Sequence, residues 1–269
     1  MNSETPMHVS TATLLGICID NLPLNAAIEQ AMAAIEGEHK EVTFACANPH
    51  SLVVAQDDTT FFNSLNSTDL VVADGAGIMF AGCLARIKVG PRIAGAKYFF
   101  SVMKALQARG KGRILFFGSS DYVLEHISKR MQEEFPALEL CGTISPPFRG
   151  WNVDENQAML EQINDARPDV LWVGMTAPKQ EKWVHENRNS LHVPVIGSIG
   201  AVFDFYAGTH PRAPQWMCNA GMEWLYRLLR EPRRMWKRNF VSTPKFLYLV
   251  LLEHILKTKR ATRKRVGKS

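Results

Sequence analysis

Residues 168–188 read PDVLWVGMTAPKQEKWVHENR and contain the two patterns that decide the fold. The first is the nearly continuous apolar run Asp169–Val173, which is typical of a strand covered on both faces of a parallel sheet. The second is the segment Lys179–Asn187, whose apolar residues recur at helical spacing and predict a helix. The stretch therefore predicts one strand–helix unit of an α/β fold.

The same alternation of strand and helix runs along most of the chain. The predicted strands are Thr13–Ile19, Val42–Cys46, Leu70–Ala73, Arg113–Phe117, Leu138–Gly142, Asp169–Val173 and Val193–Ile196. The predicted helices are Leu24–Ile35, Pro49–Gln56, Lys97–Arg109, Tyr122–Phe135, Glu155–Ala166 and Lys179–Asn187. Strands and helices at this pitch predict an α/β fold, with a Rossmann-like, mainly parallel sheet and helices on both faces.

The charge of the chain is unevenly distributed. The 269 residues contain 31 Lys and Arg against 26 Asp and Glu, a formal charge of +5. Residues 227–269 alone carry 14 Lys and Arg against two Glu, which is +12, so residues 1–226 carry −7. The prolines near residue 213 mark a boundary between an α/β core, 1–213, and a basic appendage, 214–269. Such a basic block predicts an anionic partner, either a membrane surface or a nucleic acid.

The composition excludes other classes of protein. A hydrophobic fraction of 46% with 21% charged residues is that of a globular protein and excludes intrinsic disorder of the core. Five scattered cysteines predict reduced thiols and a cytoplasmic location, and the N-terminus has no secretion-signal pattern. The apolar stretch Phe246–Leu256 is too short to cross a bilayer core about 30 Å thick as a helix. The sequence leaves open whether the protein is a monomer or a homo-oligomer.

Candidate site residues lie where ligands bind in a doubly wound sheet, beyond the carboxyl ends of the strands. Residues 70–82, LVVADGAGIMFAG, place Asp74 and Gly75 at such an end. Gly75 and Gly77 allow a close backbone approach to a ligand, but their spacing is not the dinucleotide-binding GxGxxG. An Asp here would also repel a diphosphate. Asp74 is therefore either a general base beside the reacting atom or the N-cap of the next helix.

Two further strand ends carry polar residues. The turn Gly118–Ser120 offers N–H groups and hydroxyls that can hold a phosphate, although it also fits an ordinary helix cap. Gly174 follows the strand at 169–173, and Lys179 and Gln180 begin the next helix. A lysine at a helix N-terminus opposes the helix dipole, which favours a ligand role for Lys179. Gln180 can bond a sugar hydroxyl or amide.

The remaining candidates each have two interpretations. Asp204 follows the glycine turn Gly197–Gly200 and lies among apolar residues, so it is either a buried cap or a ligand contact, because a buried carboxylate needs a partner. Arg92 is either a surface charge or the cation that neutralises a diphosphate. Asn48 precedes Pro49 and is either a helix cap or a substrate contact.

Motifs of several other chemistries are absent from the sequence. There is no Walker A loop, GxSxG, HExxH or CxxC, and the eight His residues show no metal-ligand spacing. There is also no Asp-x-Asp motif to hold a divalent metal for a nucleotide-sugar diphosphate. We therefore expect neither a metal nor a cofactor. A nucleotide-dependent oxidoreductase would need a GxGxxG turn, which the chain lacks.

The appendage interleaves basic and aromatic residues. It contains WMCNAGMEWLYRLLREPRRMWKRNFV and PKFLYLVLLEHIL, with apolar residues near helical spacing. This composition predicts either a basic amphipathic helix in a membrane interface or a helix packed on the core with a solvated basic face. Its Trp and Tyr rings favour the interface. A nucleic-acid-binding protein is a rival explanation of the charge, but the second segment suits lipid better, so we expect no nucleic acid.

Several long motifs, in matching order, resemble the bacterial WecG/TagA/CpsF family of glycosyltransferases, glycosyltransferase family 26. They are ANPHSLVVA, DLVVADGAGI, RIAG, PDVLWVGMTAPKQEKWVHENR, IGSIGAVFDFYAG, RAPQWM and GMEWLYRLLREPRRMWKR, between residues 42 and 238. The resemblance implies inverting, metal-independent transfer of N-acetylmannosamine, its uronic acid or a related hexose. The donor would be a UDP-sugar and the acceptor a polyprenyl-diphosphate-linked sugar. The enzyme would serve cell-surface polysaccharide synthesis as a peripheral protein on the cytoplasmic face of the membrane.

The resemblance also implies roles for particular residues. Asp74 corresponds to the family's catalytic base, and Arg92 and Gln180, which match two other motif positions, complete the expected catalytic set. The arginines that close over the active site in this family correspond to Arg227, Arg230, Arg233, Arg234 and Arg238. We add to the expected binding cleft Asn48, Gly75, Gly118, Gly174, Lys179, Gly200 and Asp204.

One position departs from the family pattern. Cys46 stands where many members have a Thr near the donor sugar. A thiol reproduces the hydrogen bonds of a hydroxyl poorly. The donor sugar therefore stays open, and a glucosyltransferase of exopolysaccharide assembly on the same scaffold is the alternative.

Overall fold

A hairpin and a six-stranded parallel sheet contain the strands of the fold. The computed structural model of the chain describes residues 10–211, 213–214, 216–217 and 222–266. The strands are β1 (Ser10–Leu14), β2 (Ile17–Asn21), β3 (Val42–Ala47), β4 (Leu70–Ala73), β5 (Arg113–Phe117), β6 (Glu139–Ile144), β7 (Val170–Val173) and β8 (Val195–Ser198). The first two pair with each other, and the others form a parallel sheet in the order β4-β3-β8-β7-β5-β6.

Helices cover both faces of this sheet, which confirms the predicted Rossmann-like α/β fold. They are α1 (Leu24–Ile35), α2 (Pro49–Asp57), α3 (Thr59–Ser67), α4 (Ala76–Leu84), α5 (Gly95–Arg109), α6 (Asp121–Glu134), α7 (Val153–Ala166), α8 (Lys179–Asn187) and α9 (Val202–Tyr206). A 3₁₀ turn, Arg188–Ser190, follows α8. The appendage contains α10 (Glu223–Arg230), α11 (Pro232–Trp236), a π-helical segment (Lys237–Ser242) and α12 (Thr243–Val266).

Strand β5 shows how the two faces are filled. Ile114 and Phe116 pack into a core with α1, α5 and α6. Leu115 and Phe117 point the other way and pack with α7 and α8. Successive residues of a strand face opposite sides of a sheet, so a strand covered on both sides must be apolar at every position. This requirement explains the continuous apolar runs in the sequence.

The predicted single strand Thr13–Ile19 is wrong, because the chain reverses within it. Leu15 and Gly16 have φ angles of 52° and 77°, and Leu14 pairs with Ile17 across a two-residue turn. Positive φ at both central residues is the requirement of a type I′ hairpin turn. Asn-Gly or Asp-Gly would have indicated that turn, whereas a leucine at its first position leaves an apolar run that resembles one strand.

Helix α3 is absent from the sequence prediction, and α4 was expected only as the helix that follows Asp74, without bounds. Helix α3 is rich in Thr, Ser and Asn, which are weak helix formers, and begins where Asp58 accepts a hydrogen bond from the N–H of Phe61 at 3.0 Å. Helix α4 reads AGIMFAGCL and has no polar face. A pattern without amphipathic periodicity gives no helical signal, so the sequence does not predict where α4 begins and ends.

Helix α12 attaches the appendage to the core. Phe246 and Val250 are fully buried in a cluster with the hairpin, α2 and α4. The N–H of Leu15 donates a hydrogen bond to the Glu253 carboxylate at 3.0 Å. The first half of the longest appendage helix is therefore part of the hydrophobic core.

Candidate active site

A cavity of about 1040 Å³ lies at the carboxyl edge of the sheet. Its walls come from the segments that follow β3, β4, β5, β7 and β8, together with part of the appendage. Helix α6 follows β5 and α8 follows β7, and these two helices cover opposite faces of the sheet. A crevice therefore opens between the ends of two neighbouring strands, as expected for a ligand site in a doubly wound sheet.

Asp74 lines this cavity directly after β4. Its N–H donates to the carbonyl of Ala47 at 2.7 Å, which continues the pairing of β4 with β3. The residue at the N-cap position of α4 is Gly75, with a φ of 95°. A Cβ on Gly77 would lie 2.5 Å from Cγ of Pro49. Glycine there lets the N-termini of α4 and α2 approach closely, so Asp74 and the start of α2 share one wall.

Asn48 both caps α2 and lines the cavity. Its side-chain oxygen accepts hydrogen bonds from the N–H groups of His50 and Ser51, each at 3.1 Å. The Ser51 hydroxyl in turn accepts from the N–H of Asn48 at 2.8 Å, which completes a capping box. The predicted capping role is confirmed. With the oxygen of Asn48 committed to the backbone, its amide N–H₂ is the group that can meet a ligand.

Gln180 and Glu181 form a buried polar pair at the start of α8. They are only 4% and 5% exposed, and the Gln180 amide donates to Glu181 Oε1 at 2.9 Å. The two oxygens that take no part in this bond, Gln180 Oε1 and Glu181 Oε2, have no hydrogen-bond partner in the described part of the chain. Burial raises the pKa of Glu181 to about 7, and the bond from Gln180 only partly offsets this.

Glu181 is a residue that the sequence analysis missed. An acidic side chain in the first turn of a helix is the ordinary partner of the helix dipole and normally faces water. Its position beside Gln180 in the PKQE motif was the available signal. Both side chains line the cavity.

Cys46 lines the cavity, and the charges of Asp74 and Glu181 act on its thiol. Burial raises the pKa of its thiol well above the ordinary value, and the negative charges of Asp74 and Glu181 raise it further. The thiol is therefore neutral. A Cβ on Gly95 would lie 3.4 Å from Cys46 Sγ, so the side chain is packed against the start of α5.

Three further predicted residues line the cavity: Arg92, Lys179 and Asp204. The Lys179 ammonium lies 4.2 Å from the centre of the Trp151 ring, a cation–π contact that holds its side chain at the cavity edge. Asp204 is half-buried rather than enclosed in the core. Of its two predicted roles, the structure thus favours the one at the ligand cavity.

The glycines have different roles. Gly174 and Gly200 line the cavity. Gly200 has a φ of 53°, and a Cβ there would lie 3.4 Å from Gln180 Oε1. Gly118 does not line it. A Cβ there would lie 2.7 Å from the backbone of Gly174, so glycine is needed for contact between two strand ends. The adjoining Ser120 accepts from the N–H of Val123 at 3.4 Å, the predicted helix cap.

The appendage supplies the wall opposite the strand ends. Arg238 lines the cavity, as predicted, together with Trp224, Met235, Lys237, Asn239, Phe240 and Thr243. Arg230 and Arg233 are not among the described lining residues, and the Arg230 guanidinium lies 5.6 Å from the Tyr226 ring centre. The side chains of Arg227 and Arg234 lie outside the described part of the structure.

Comparison with known sequences places this architecture. The sequence model of the glycosyl transferase WecG/TagA/CpsF family matches residues 12–260, which span the sheet, the cavity and most of the appendage. The chain belongs to this family. It is therefore a glycosyltransferase, as the motifs predicted.

Similar proteins of this WecG/TagA/CpsF family share one name, N-acetylglucosaminyldiphosphoundecaprenol N-acetyl-beta-D-mannosaminyltransferase. The protein from Bacillus subtilis (strain 168) is 31% identical over 206 residues, 77% of each chain. The protein from Bacillus spizizenii is 29% identical over 214 residues, 80% of each chain. The protein from Staphylococcus aureus (strain MW2) is 25% identical over 267 residues, 98% of this chain and 99% of its own.

Two features of the described residues concern metals and membranes. No group of three or more His, Cys, Asp and Glu side chains there is arranged to hold a metal ion. Among the same residues, no helix combines the length and apolar character needed to cross a bilayer.

Proposed function

We propose that the protein transfers N-acetylmannosamine from its UDP derivative to N-acetylglucosamine linked to a polyprenyl diphosphate, with inversion and without a metal ion. The names of the similar proteins support the choice of sugar and acceptor. The observation that carries the proposal is the composition of one cavity, in which Asp74 stands on the strand-end wall and Arg238 on the appendage wall.

The cavity contains the groups that such a displacement needs. Asp74 takes the proton from the acceptor hydroxyl, whose oxygen then attacks the anomeric carbon of the donor. The bond from that carbon to the UDP oxygen breaks, and its electron pair leaves with UDP. Arg92 and Arg238 stabilise the charge on the departing diphosphate, which is the task that a metal performs in other glycosyltransferases.

The exposed surface of the appendage supports a lipid-linked acceptor. Its exposed large apolar side chains are Trp216, Trp224, Leu229, Trp236, Phe240, Val241, Tyr248, Leu252, Ile255 and Leu256. Trp and Tyr favour the depth of lipid headgroups, and the net positive charge of residues 227–269 favours anionic lipids. The appendage therefore holds the cavity at a membrane surface, where a polyprenyl diphosphate resides.

The test is a donor screen with the purified full chain. A short-chain polyprenyl-diphosphate N-acetylglucosamine is offered with UDP-N-acetylmannosamine, its uronic acid, UDP-N-acetylglucosamine or UDP-glucose, with and without a chelator. We expect transfer from UDP-N-acetylmannosamine, at an unchanged rate in chelator. Transfer from UDP-glucose alone would support the glucosyltransferase alternative. No transfer from any donor would contradict the proposal.

A further inference from the structure

A hydrogen bond joins the core to the appendage at the edge of the cavity. His50 Nδ1 lies 2.8 Å from Ser242 Oγ, although the two residues are 192 positions apart in the chain. His50 is in the first turn of α2 and lines the cavity, while Ser242 ends the π-helical segment and is only 4% exposed. A buried hydroxyl that loses its partner is costly, so this contact constrains both segments.

The core end of this contact is fixed. The capping box of Asn48 and Ser51 determines the backbone of the first turn of α2. Pro49 also packs against Gly77, where α4 approaches α2 closely. His50 therefore projects from a part of the cavity wall whose backbone is held by two contacts.

The appendage end of the contact lies close to two cations of the cavity. Lys237 and Arg238 precede Ser242 by about one helical turn, and both line the cavity. A bond at Ser242 thus determines how close the Arg238 guanidinium lies to the strand ends. A displacement of about 1 Å at a charged group can reduce a reaction rate by about 100-fold.

We propose that His50 is a positioning residue, which holds the segment Lys237–Ser242 over the cavity through its hydrogen bond to Ser242. This inference rests on the proposed function, because its catalytic consequence is the placement of Arg238 against the departing UDP. His50 acts through Ser242.

The charge of His50 is part of this arrangement. Burial lowers the pKa of His50, and the positive charges of Arg238 and Lys237 lower it further, so the ring is neutral at neutral pH. A protonated His50 would add a third positive charge beside these two and repel the segment. The other charged groups on the elements around it are Asp74 after β4, Asp58 with its partner Lys182, and Lys245 with its partner Asp57. Acid pH below the ordinary histidine range is therefore expected to loosen the segment.

The experiment compares variants of the full chain by hydrogen exchange of residues 237–243 and by transfer kinetics. His50→Ala and Ser242→Ala each remove the bond, and the double variant tests whether the two effects share one cause. His50→Asn places an amide where Nδ1 stands and stays neutral at all pH values. His192→Ala is the matched control, because His192 is exposed.

We expect faster exchange of residues 237–243 and a kcat about tenfold lower in both Ala variants, with no further loss in the double variant. His50→Asn should restore kcat at neutral pH and keep the protection of residues 237–243 at acid pH, where the wild type should lose it. Unchanged exchange in His50→Ala, or additive losses in the double variant, would overturn the inference. If the wild type transfers no sugar but the exchange results hold, the proposed function fails and the positioning contact stands.

Discussion

The two walls of the cavity are built in different ways. On the strand-end wall, Gln180 and Glu181 are 4% and 5% exposed and are held by helices packed on both faces of the sheet. On the appendage wall, Trp224 and Phe240 are 46% and 50% exposed. The sheet therefore holds its wall by burial, whereas the appendage leaves large apolar side chains exposed, as the proposed membrane contact requires.

Helix α12 belongs to both regions. Its first half buries Phe246 and Val250 in the core, while Leu252, Ile255 and Leu256 in its second half are exposed. Deleting residues 214–269 would therefore damage the core as well as remove the basic surface. Point substitutions separate the two roles better than truncation.

The largest effect on the free energy of unfolding is expected from Phe246→Ala, in the buried half of α12. Phe246 is fully buried, so the substitution removes a large apolar side chain and leaves a cavity, which costs about 3–5 kcal/mol of unfolding free energy. Leu256→Ala, at an exposed position of the same helix, should change it by less than about 0.5 kcal/mol. Urea unfolding measures both. Equal effects would show that α12 is not part of the core.

A smaller effect is expected from Glu181→Gln and depends on pH. The pKa of Glu181 is raised to about 7 in the folded protein, so its ionisation destabilises the fold. The wild type should lose up to about 3 kcal/mol relative to the variant as pH rises from below about 4.5 to above 7, because folded Glu181 retains a proton that the unfolded chain releases.

The measurement is urea unfolding of the wild type and of Glu181→Gln at pH 5 and pH 8. Glu186→Gln is the matched control, since Glu186 is exposed on the same helix, and it should follow the wild type. A difference between wild type and Glu181→Gln that does not change with pH would contradict the assigned burial.

The smallest effect concerns the exposed surface. Tyr248→Ala and Trp236→Ala should each weaken binding to phosphatidylglycerol vesicles about fivefold, or about 1 kcal/mol, with little change in unfolding free energy. Tyr122→Ala is the control, because Tyr122 on α6 of the core is 63% exposed. Vesicle flotation measures the binding. An equal loss in the Tyr122 variant would mean that the appendage is not a specific membrane surface.

The sequence predicted the sheet well, because strands covered on both faces must be apolar throughout. It also located Asp74, Arg92, Gln180 and Arg238, which share one cavity. Asp74 and Gln180 meet there because the carboxyl ends of parallel strands lie at one edge of the sheet. Motif resemblance alone suggested Arg238, since nothing local indicates where an appendage folds back.

The features that the sequence did not reveal depend on long-range packing. The hairpin turn places a leucine at positive φ, and the burial of Glu181 follows from how α8 lies on the sheet. The bond between His50 and Ser242 joins segments separated by 192 residues. No local pattern carries such information. Gly118 was correctly predicted at a strand end. Its close contact with the backbone of Gly174 explains why a glycine is needed there, without a ligand.

The proposed mechanism depends most on Asp74, the base of the transfer reaction in this cavity. The most direct test measures the transfer rate and the affinity for UDP in the same Asp74→Asn protein. We predict that transfer falls at least about 100-fold while UDP binding stays within about twofold, because the amide keeps the shape of the side chain but accepts no proton. Transfer at the wild-type rate by Asp74→Asn would show that Asp74 is not the base.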